Sequence, residues 1–111
     1  MEARLMIEPT WVTLLFDRGH GCWSTRGPTG LAFLRELISG HTGGDDSQLA
    51  HLRAASLRRL DDDPHQALGF LAVAGIASDL AIVSRFLNSP NEAIQNSAKL
   101  CRFELIHHRR D

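Results

Sequence analysis

Residues 63–87, DPHQALGFLAVAGIASDLAIVSRFL, decide the fold because signals that start and end helices alternate along them. Asp63 and Pro64 are residue types preferred at the N-cap and at the first helical position, and Gln66 stands where a capping box needs a side chain that reaches back to the backbone. The residues that follow are apolar nearly all round, which is typical of a helix enclosed by neighbours. Gly75 is then predicted to end this helix in the left-handed conformation.

Outward from this stretch, the second half of the chain predicts four consecutive helices, because polar caps recur between apolar stripes of helical spacing. The predicted helices span 47–60, 64–74, 78–87 and a last helix that opens at the capping box Ser89-Pro90-Asn91-Glu92. Short turns between consecutive helices favour antiparallel packing of neighbours. The second half is therefore predicted to be a stack of helical hairpins.

The first 45 residues differ in character, since they are rich in glycine and turn signals and contain both tryptophans. A short amphipathic helix is predicted over 31–38, closed by Gly40. The run WVTLLF, residues 11–16, is short enough to be strand or helix. We favour a helix there, because an isolated hairpin would need a partner sheet that the rest of the chain does not offer.

Length and composition limit how these parts are organised. The chain has 111 residues, of which 43% are hydrophobic and 23% charged, as expected of one soluble globular domain. A two-domain enzyme does not fit into this length. The predicted organisation is a single domain, 1–111, with an N-terminal cap region 1–45, helical repeats 46–106 and a basic tail 107–111.

Charge and cysteine content exclude several classes of protein. A net charge of -1 lacks the basic footprint that nucleic-acid phosphates require. Cys22 and Cys101 are far apart and form no CxxC motif, so neither a zinc ribbon nor a redox pair is predicted. The N-terminus lacks the pattern of a secretory signal, and the apolar run 68–77 is about half the roughly 20 residues that span a bilayer. We therefore expect a reduced, cytoplasmic protein with no nucleic-acid or membrane partner.

Two turns of the helical region share one pattern, in which a final leucine, a polar cap and a proline stand between helices. These turns are Leu60-Asp61-Asp62-Asp63-Pro64 and Leu87-Asn88-Ser89-Pro90, and the unit recurs after 26 residues. Helical hairpins that bury their apolar faces by stacking define a solenoid repeat. Residues 47–106 resemble HEAT-type helical repeats, through HLRAASLRRL (51–60), the quoted stretch 63–87 and SPNEAIQNSAKLCRFEL (89–105). The resemblance implies an all-α, HEAT-like stack of short antiparallel hairpins beneath a glycine-rich N-terminal cap, acting as a scaffold for protein binding.

The predicted function is accordingly that of a non-catalytic adaptor that binds a partner protein. In stacked hairpins the second helices line one surface, so His51, Arg58 and Arg85 are predicted to form a basic face for a partner with an acidic surface. Three solvated side chains on a charged exterior would explain the same residues. Leu100 and Phe103 lie opposite the apolar stripe of the last helix and are predicted sites of self-association.

Two other functions remain open at this point. One is an immunity or inhibitor protein that occludes a toxin or enzyme. The other is a small thiol- or metal-dependent enzyme that uses the loop containing His20 and Cys22, the one place where histidine and cysteine are close in sequence. Because a structural zinc site needs about four ligands, and nothing fixes the geometry of a thiol and a base, we predict no catalytic residue, no metal and no cofactor.

Overall fold

The computed structural model describes residues 8–107, and within that range it is helical without any strand. The α-helices of this part are α1 (Thr10–Asp17), α2 (Pro28–Thr42), α3 (Asp46–Arg58), α4 (Pro64–Ala74), α5 (Leu80–Ser84) and α6 (Glu92–His107). Between α1 and α2 lies a stretch of 3₁₀ helix, His20–Arg26, here called the 3₁₀ segment, and a short 3₁₀ turn, Ala77–Asp79, precedes α5. The predicted all-α fold class is confirmed.

Part of the predicted organisation lies at the edges of this range. Of the predicted basic tail, His107 is the last residue of α6, and residues 108–111 lie outside the described residues. Residues 1–7, which contributed to the expectation that the N-terminus carries no secretory signal, also lie outside them. No helix within 8–107 combines the length and the apolar character needed to cross a membrane.

Helix α4 is the centre of the fold. It packs against α3, α6 and the 3₁₀ segment, while α5 packs mainly against α6. Every residue from Ala67 to Ala74 is buried, and Phe70 is the largest of the fully buried side chains. A helix enclosed on several sides has no solvent-exposed face that would need polar residues. This explains why the sequence of α4 is apolar nearly all round.

The N-terminal third is more helical than its glycine content suggests. The run 11–16 lies in α1, so the interpretation as a helix is confirmed. Helix α2 extends well beyond the predicted 31–38 and continues through Gly40. It ends at Thr42, and the C-cap is Gly43, which has a positive φ of 59° and whose N–H donates to the carbonyl of Ser39. The prediction that Gly40 closes this helix is wrong, because Gly43, three residues later, supplies the left-handed cap.

The helix predicted over 47–60 spans Asp46–Arg58 in the structure. Two further helix ends in the second half also need correction. Gly75 is extended, with φ −72° and ψ 166°, so it ends α4 without the left-handed conformation. The predicted helix 78–87 is a 3₁₀ turn followed by α5, which ends at Ser84. Both differences arise where the chain leaves α4 for α6, and here tertiary packing overrides the local signal.

Helix α6 begins at Glu92, two residues later than a proline at the first helical position would place it. The side-chain oxygen of Asn91 accepts hydrogen bonds from the N–H groups of Ala93 and Ile94, at 2.9 and 3.3 Å. Asn91 therefore caps the helix, and Ser89 instead accepts from the N–H of Asn91 at 3.1 Å. The capping signal is real, but it acts through a different residue of the same turn.

The 3₁₀ segment is fastened to α4 by a close contact between backbones. A Cβ atom at Gly69 would lie 1.7 Å from the carbonyl oxygen of Gly21, so only glycine fits at that position. Gln66 reinforces the contact: its carbonyl oxygen accepts from the N–H of Gly21 at 3.2 Å, and its amide donates to the carbonyl of Phe16 at 3.0 Å. The side chain predicted to close a capping box at Asp63 therefore joins two parts of the chain, and it donates to the Asp63 carboxylate rather than to its backbone.

Candidate functional site

An apolar groove lies between α2 and α6, and we call it the α2–α6 groove. Its volume is about 200 Å³, and its lining residues are Trp23, Gly27, Pro28, Leu31, Leu100, Phe103 and Glu104. Leu100 is 37% exposed and Phe103 52% exposed, so the wall formed by α6 presents apolar surface to solvent. Trp23 is only 4% exposed and forms the floor. The sequence-predicted pair Leu100 and Phe103 is thus found together in one site.

The groove is held in shape by the packing of the 3₁₀ segment. The indole N–H of Trp23 donates to the carbonyl of Gly69 at 2.9 Å, which fixes the floor to α4. Gly27 has a positive φ of 73° and turns the chain directly into α2 at Pro28. A Cβ atom at Gly30 would lie 2.7 Å from the carbonyl oxygen of Trp23, so the first turn of α2 rests on the 3₁₀ segment. The first turn of α2 and the floor at Trp23 are therefore packed directly against each other.

An ion pair joins the two helices beside the groove. The guanidinium of Arg35 on α2 donates to the carboxylate of Glu104 on α6. Glu104 is buried and Arg35 is partly exposed. Because Arg35 balances the charge of Glu104, the acidic residue in the lining does not make the groove negative.

The outer flank of α6 is basic. A second depression, of about 290 Å³, is lined by Lys99, Arg102, Phe103, Ile106 and His107. The rings of Phe103 and His107 are in contact, with centroids 4.1 Å apart. Lys99 and Arg102 are exposed, and neither makes an ion pair or a hydrogen bond with another residue in 8–107. Since Phe103 lines both depressions, the α2–α6 groove and this basic flank are continuous.

The predicted basic face of His51, Arg58 and Arg85 is spread over two helices with different neighbours. His51 and Arg58 belong to α3, which packs on α4, and Arg85 follows α5, which packs on α6. His51 is half-buried, whereas both arginines are exposed. Arg58 donates to the carboxylate of Glu8 at 3.0 Å, and Arg85 lies 5.5 Å from the ring centroid of Phe86. A common recognition face stays a prediction.

The loop residues His20 and Cys22 occupy half-buried positions in the 3₁₀ segment. Burial, with the nearby charges of Arg26 and Arg18, lowers the pKa of His20, and its buried Nδ1 has no hydrogen-bond partner among residues 8–107. Burial, with the charge of Asp63, raises the pKa of the Cys22 thiol. A thiol with a raised pKa is a poor nucleophile at neutral pH, because the thiolate is the reactive form.

Sequence reasoning missed a polar cluster formed by Ser24, His65 and Ser97. The hydroxyl of Ser24 lies 3.3 Å from Nε2 of His65 and 2.9 Å from the hydroxyl of Ser97. A histidine beside a serine can activate its hydroxyl, but within 8–107 His65 has no second hydrogen bond that would orient its ring. The cluster connects the 3₁₀ segment to α4 and α6, and isolated serines carry no sequence signal for such a contact.

No arrangement within 8–107 brings together three or more His, Cys, Asp or Glu residues that could hold a metal ion. Comparison with protein-family models, with curated proteins and with solved structures found no match to the chain. The geometry of the α2–α6 groove and its surroundings is therefore what indicates a function.

Proposed function

We propose that the protein is a non-catalytic module that binds a partner protein through the α2–α6 groove. One observation carries this proposal: of the five large apolar side chains exposed in residues 8–107, three lie on the outer side of α6, namely Leu100, Phe103 and Ile106. Scattered apolar residues on a surface need no explanation, but apolar side chains gathered around a groove mark interaction sites. Helices form both sides of the groove, so the site is formed without a partner.

The HEAT-like interpretation is part of the same proposal. It is supported by the packing of α3 on α4 and of α5 on α6, and by the contact between α4 and α6 that connects the two pairs. The 3₁₀ segment, which packs on α4 and α6, takes the place of the glycine-rich cap. Surfaces of stacked helices commonly serve protein binding. In this proposal the protein acts as a cytoplasmic adaptor, and His51, Arg58 and Arg85 provide a second contact surface.

The two alternatives differ in what supports them. An immunity or inhibitor protein would use the same groove to cover a toxin or enzyme, so it is a narrower form of the proposal. A thiol enzyme would need Cys22 as the thiolate, which its raised pKa disfavours. A Cys22→Ser, His20→Ala double variant that keeps full cellular function would eliminate the enzyme alternative.

The proposal is tested by capture of partner proteins from the native host with three baits: wild type, Phe103→Glu and Leu14→Glu. Leu14 is the matched control, because it is also an exposed apolar side chain on a helix but does not line the groove. We expect Phe103→Glu to reduce capture by about tenfold or more, as loss of a central apolar anchor does, and Leu14→Glu to leave it unchanged. Equal capture by all three baits, with unchanged circular dichroism, would refute the groove as the binding site.

A further inference from the structure

We propose that the α2–α6 groove binds an amphipathic helix whose apolar side chains are flanked by aspartate or glutamate. This inference rests on the proposed function and names the chemistry of the partner. Three features of the site carry it: the size of the groove, the cations beside it, and the unfavourable charges that a second copy of this chain would meet.

The size of the groove favours a side-chain anchor. Its volume of about 200 Å³ is smaller than the roughly 300–1,000 Å³ of pockets that enclose small-molecule ligands. It suits one or two large apolar side chains, lying over Trp23 between Leu31 and Phe103. Two helices form its walls, and a helix laid into a groove presents such anchors at intervals of three and four residues.

The charges beside the groove indicate which residues of a partner should surround those anchors. Lys99 and Arg102 stand on the flank that shares Phe103 with the groove, and neither is paired within the described residues. Glu104, the acidic residue in the lining, is already paired with Arg35. A partner helix seated over Phe103 would therefore meet two unpaired cations on the flank of α6, Lys99 one turn before Phe103 and Arg102 next to it. Complementary charges at the rim of an interface raise the association rate and exclude wrong partners.

A second copy of the chain fits this surface less well. Between 93 and 107, α6 carries a single acidic residue, Glu104, and its carboxylate is engaged by Arg35. If two copies packed their α6 helices across Phe103, Lys99 and Arg102 of each would approach the same basic flank on the other. Like charges placed together across an interface are destabilising. Within residues 8–107 the flank offers two unpaired cations, Lys99 and Arg102, which give too little phosphate neutralisation for nucleic acid.

The test uses three synthetic helical peptides and the full chain. The first peptide carries leucine or phenylalanine anchors one turn apart with glutamates beside them, the second has lysines in place of the glutamates, and the third has alanines in place of the anchors. Binding is followed by fluorescence anisotropy and by the NMR signal of the Trp23 indole N–H, with the Trp11 indole as internal control. We expect the glutamate peptide to bind about tenfold or more tightly than either other peptide and to shift the Trp23 signal alone.

Variants of the flank locate the charge effect. A Lys99→Glu, Arg102→Glu double variant should weaken binding of the glutamate peptide about tenfold and improve that of the lysine peptide, whereas Lys99→Arg, Arg102→Lys keeps both charges and should bind as wild type. Added salt should weaken binding of the glutamate peptide, because salt screens exposed charge pairs.

Several results would overturn the inference. Equal affinity for the glutamate and lysine peptides would refute the role of charge, and binding of neither would refute a helical ligand. In both cases the proposed function would stand as long as Phe103→Glu still reduced capture of the host partner. A wild-type dimer that becomes monomeric with Phe103→Glu would make a second copy the occupant and would also overturn the inference.

Discussion

At the scale of single residues, Glu8 connects the start of α1 to the end of α3. Its carboxylate accepts hydrogen bonds from the guanidinium of Arg59 at 2.6 and 2.9 Å and from that of Arg58 at 3.0 Å, and the hydroxyl of Thr13 donates to it as well. The hydrogen bonds from Arg59, opposed by partial burial and helped by Thr13 and Arg58, lower the pKa of Glu8 to about 2. A fold that includes this contact therefore stabilises the ionised carboxylate.

We predict that this contact makes stability depend on pH in the acid range. Because the pKa of Glu8 in the folded chain lies below its ordinary value of 4.5, the contact contributes fully above that value and is lost as the pH falls towards about 2. Replacing Glu8 by glutamine should lower the free energy of unfolding at neutral pH by roughly 1–2 kcal/mol. The difference from wild type should shrink as the pH falls, which urea titrations followed by circular dichroism would measure.

The control for this experiment is Glu36→Gln, on the exposed side of α2. It removes the same charge without removing a contact seen in the fold, so its stability should follow wild type within about 0.5 kcal/mol at each pH. A Glu8→Gln variant whose deficit stays constant down to about pH 2 would contradict the assignment of the pH dependence to this carboxylate.

A second ion pair shows what the sequence does not reveal at this scale. Arg53 donates to the carboxylate of Asp79 at 2.8 and 2.7 Å, and the N–H of Ile76 donates to the same carboxylate at 2.9 Å. Burial alone would raise the pKa of Asp79, but these hydrogen bonds lower it. Asp79 resembles an ordinary helix-start residue in the sequence, because its partner lies on another helix and is brought to it only by packing.

At the scale of elements, the contact between the 3₁₀ segment and α4 depends on the absence of side chains. Gly21 and Gly69 allow the two backbones to meet, and the hydrogen bond from Trp23 to the carbonyl of Gly69 forms beside this contact. Glycine inside a helix normally costs stability relative to alanine. At position 69 that cost is offset by an approach that no other residue permits.

We predict opposite effects for two alanine substitutions at helical glycines. Gly69→Ala places a Cβ atom 1.7 Å from the carbonyl oxygen of Gly21, which neither backbone can avoid, so it should destabilise the fold by about 3 kcal/mol. Gly40→Ala, in α2, meets nothing within 4 Å and should stabilise by about 0.5–1 kcal/mol. Thermal and urea unfolding would measure both. A Gly69→Ala variant as stable as wild type would refute the close contact.

Helix positions were predictable from the sequence better than helix ends. Helix α4 lies where the sequence predicts it, from Pro64 to about Ala74, because a proline start and an all-apolar run are local signals, although the Asp63 side chain makes no capping hydrogen bond to the backbone. The cap of α6 was assigned to the wrong residue, since Ser89 and Asn91 offer equivalent side-chain oxygens two positions apart. Gly75 was predicted to be left-handed, but its conformation depends on how the chain turns towards Asp79. Local chemistry marks where a helix ends, whereas packing selects the geometry of its end.

At the scale of the whole molecule, the fold is wrapped around α4. The Cα radius of gyration is 13.0 Å and the principal extents are 37, 31 and 27 Å, so the described chain is close to isometric. A radius near 13 Å is that of a compact domain of about 100 residues. The predicted division between a cap region, 1–45, and repeats, 46–106, is crossed by the contacts of the 3₁₀ segment with α4 and α6.

Only part of the candidate site could be predicted from local sequence patterns. Leu100 and Phe103 were found from the sequence because their position opposite the apolar stripe of α6 is a matter of helical spacing. The floor and the opposite wall, Trp23 and Leu31, were not, because nothing in a single sequence states that the 3₁₀ segment and α2 lie against α6. One wall of a groove is a property of an element, and the groove itself is a property of the whole fold.

The central position of α4 leads to a prediction about fragments. Residues 46–111 alone should fail to fold cooperatively, because removing the 3₁₀ segment exposes the surface around Gly69 and Phe70, which is buried in the whole chain. We expect the fragment to lose helical signal, to bind a hydrophobic dye such as ANS, and to melt without a sharp transition. Adding the peptide 1–45 should restore a cooperative transition.

The control is the full chain cut by protease at an engineered site between Gly43 and Asp45, where chain continuity is lost but both parts are present. If 46–111 alone melted cooperatively at the temperature of the intact protein, the helical repeats would be an independent unit, and the N-terminal third would be an accessory to the fold rather than one side of its core.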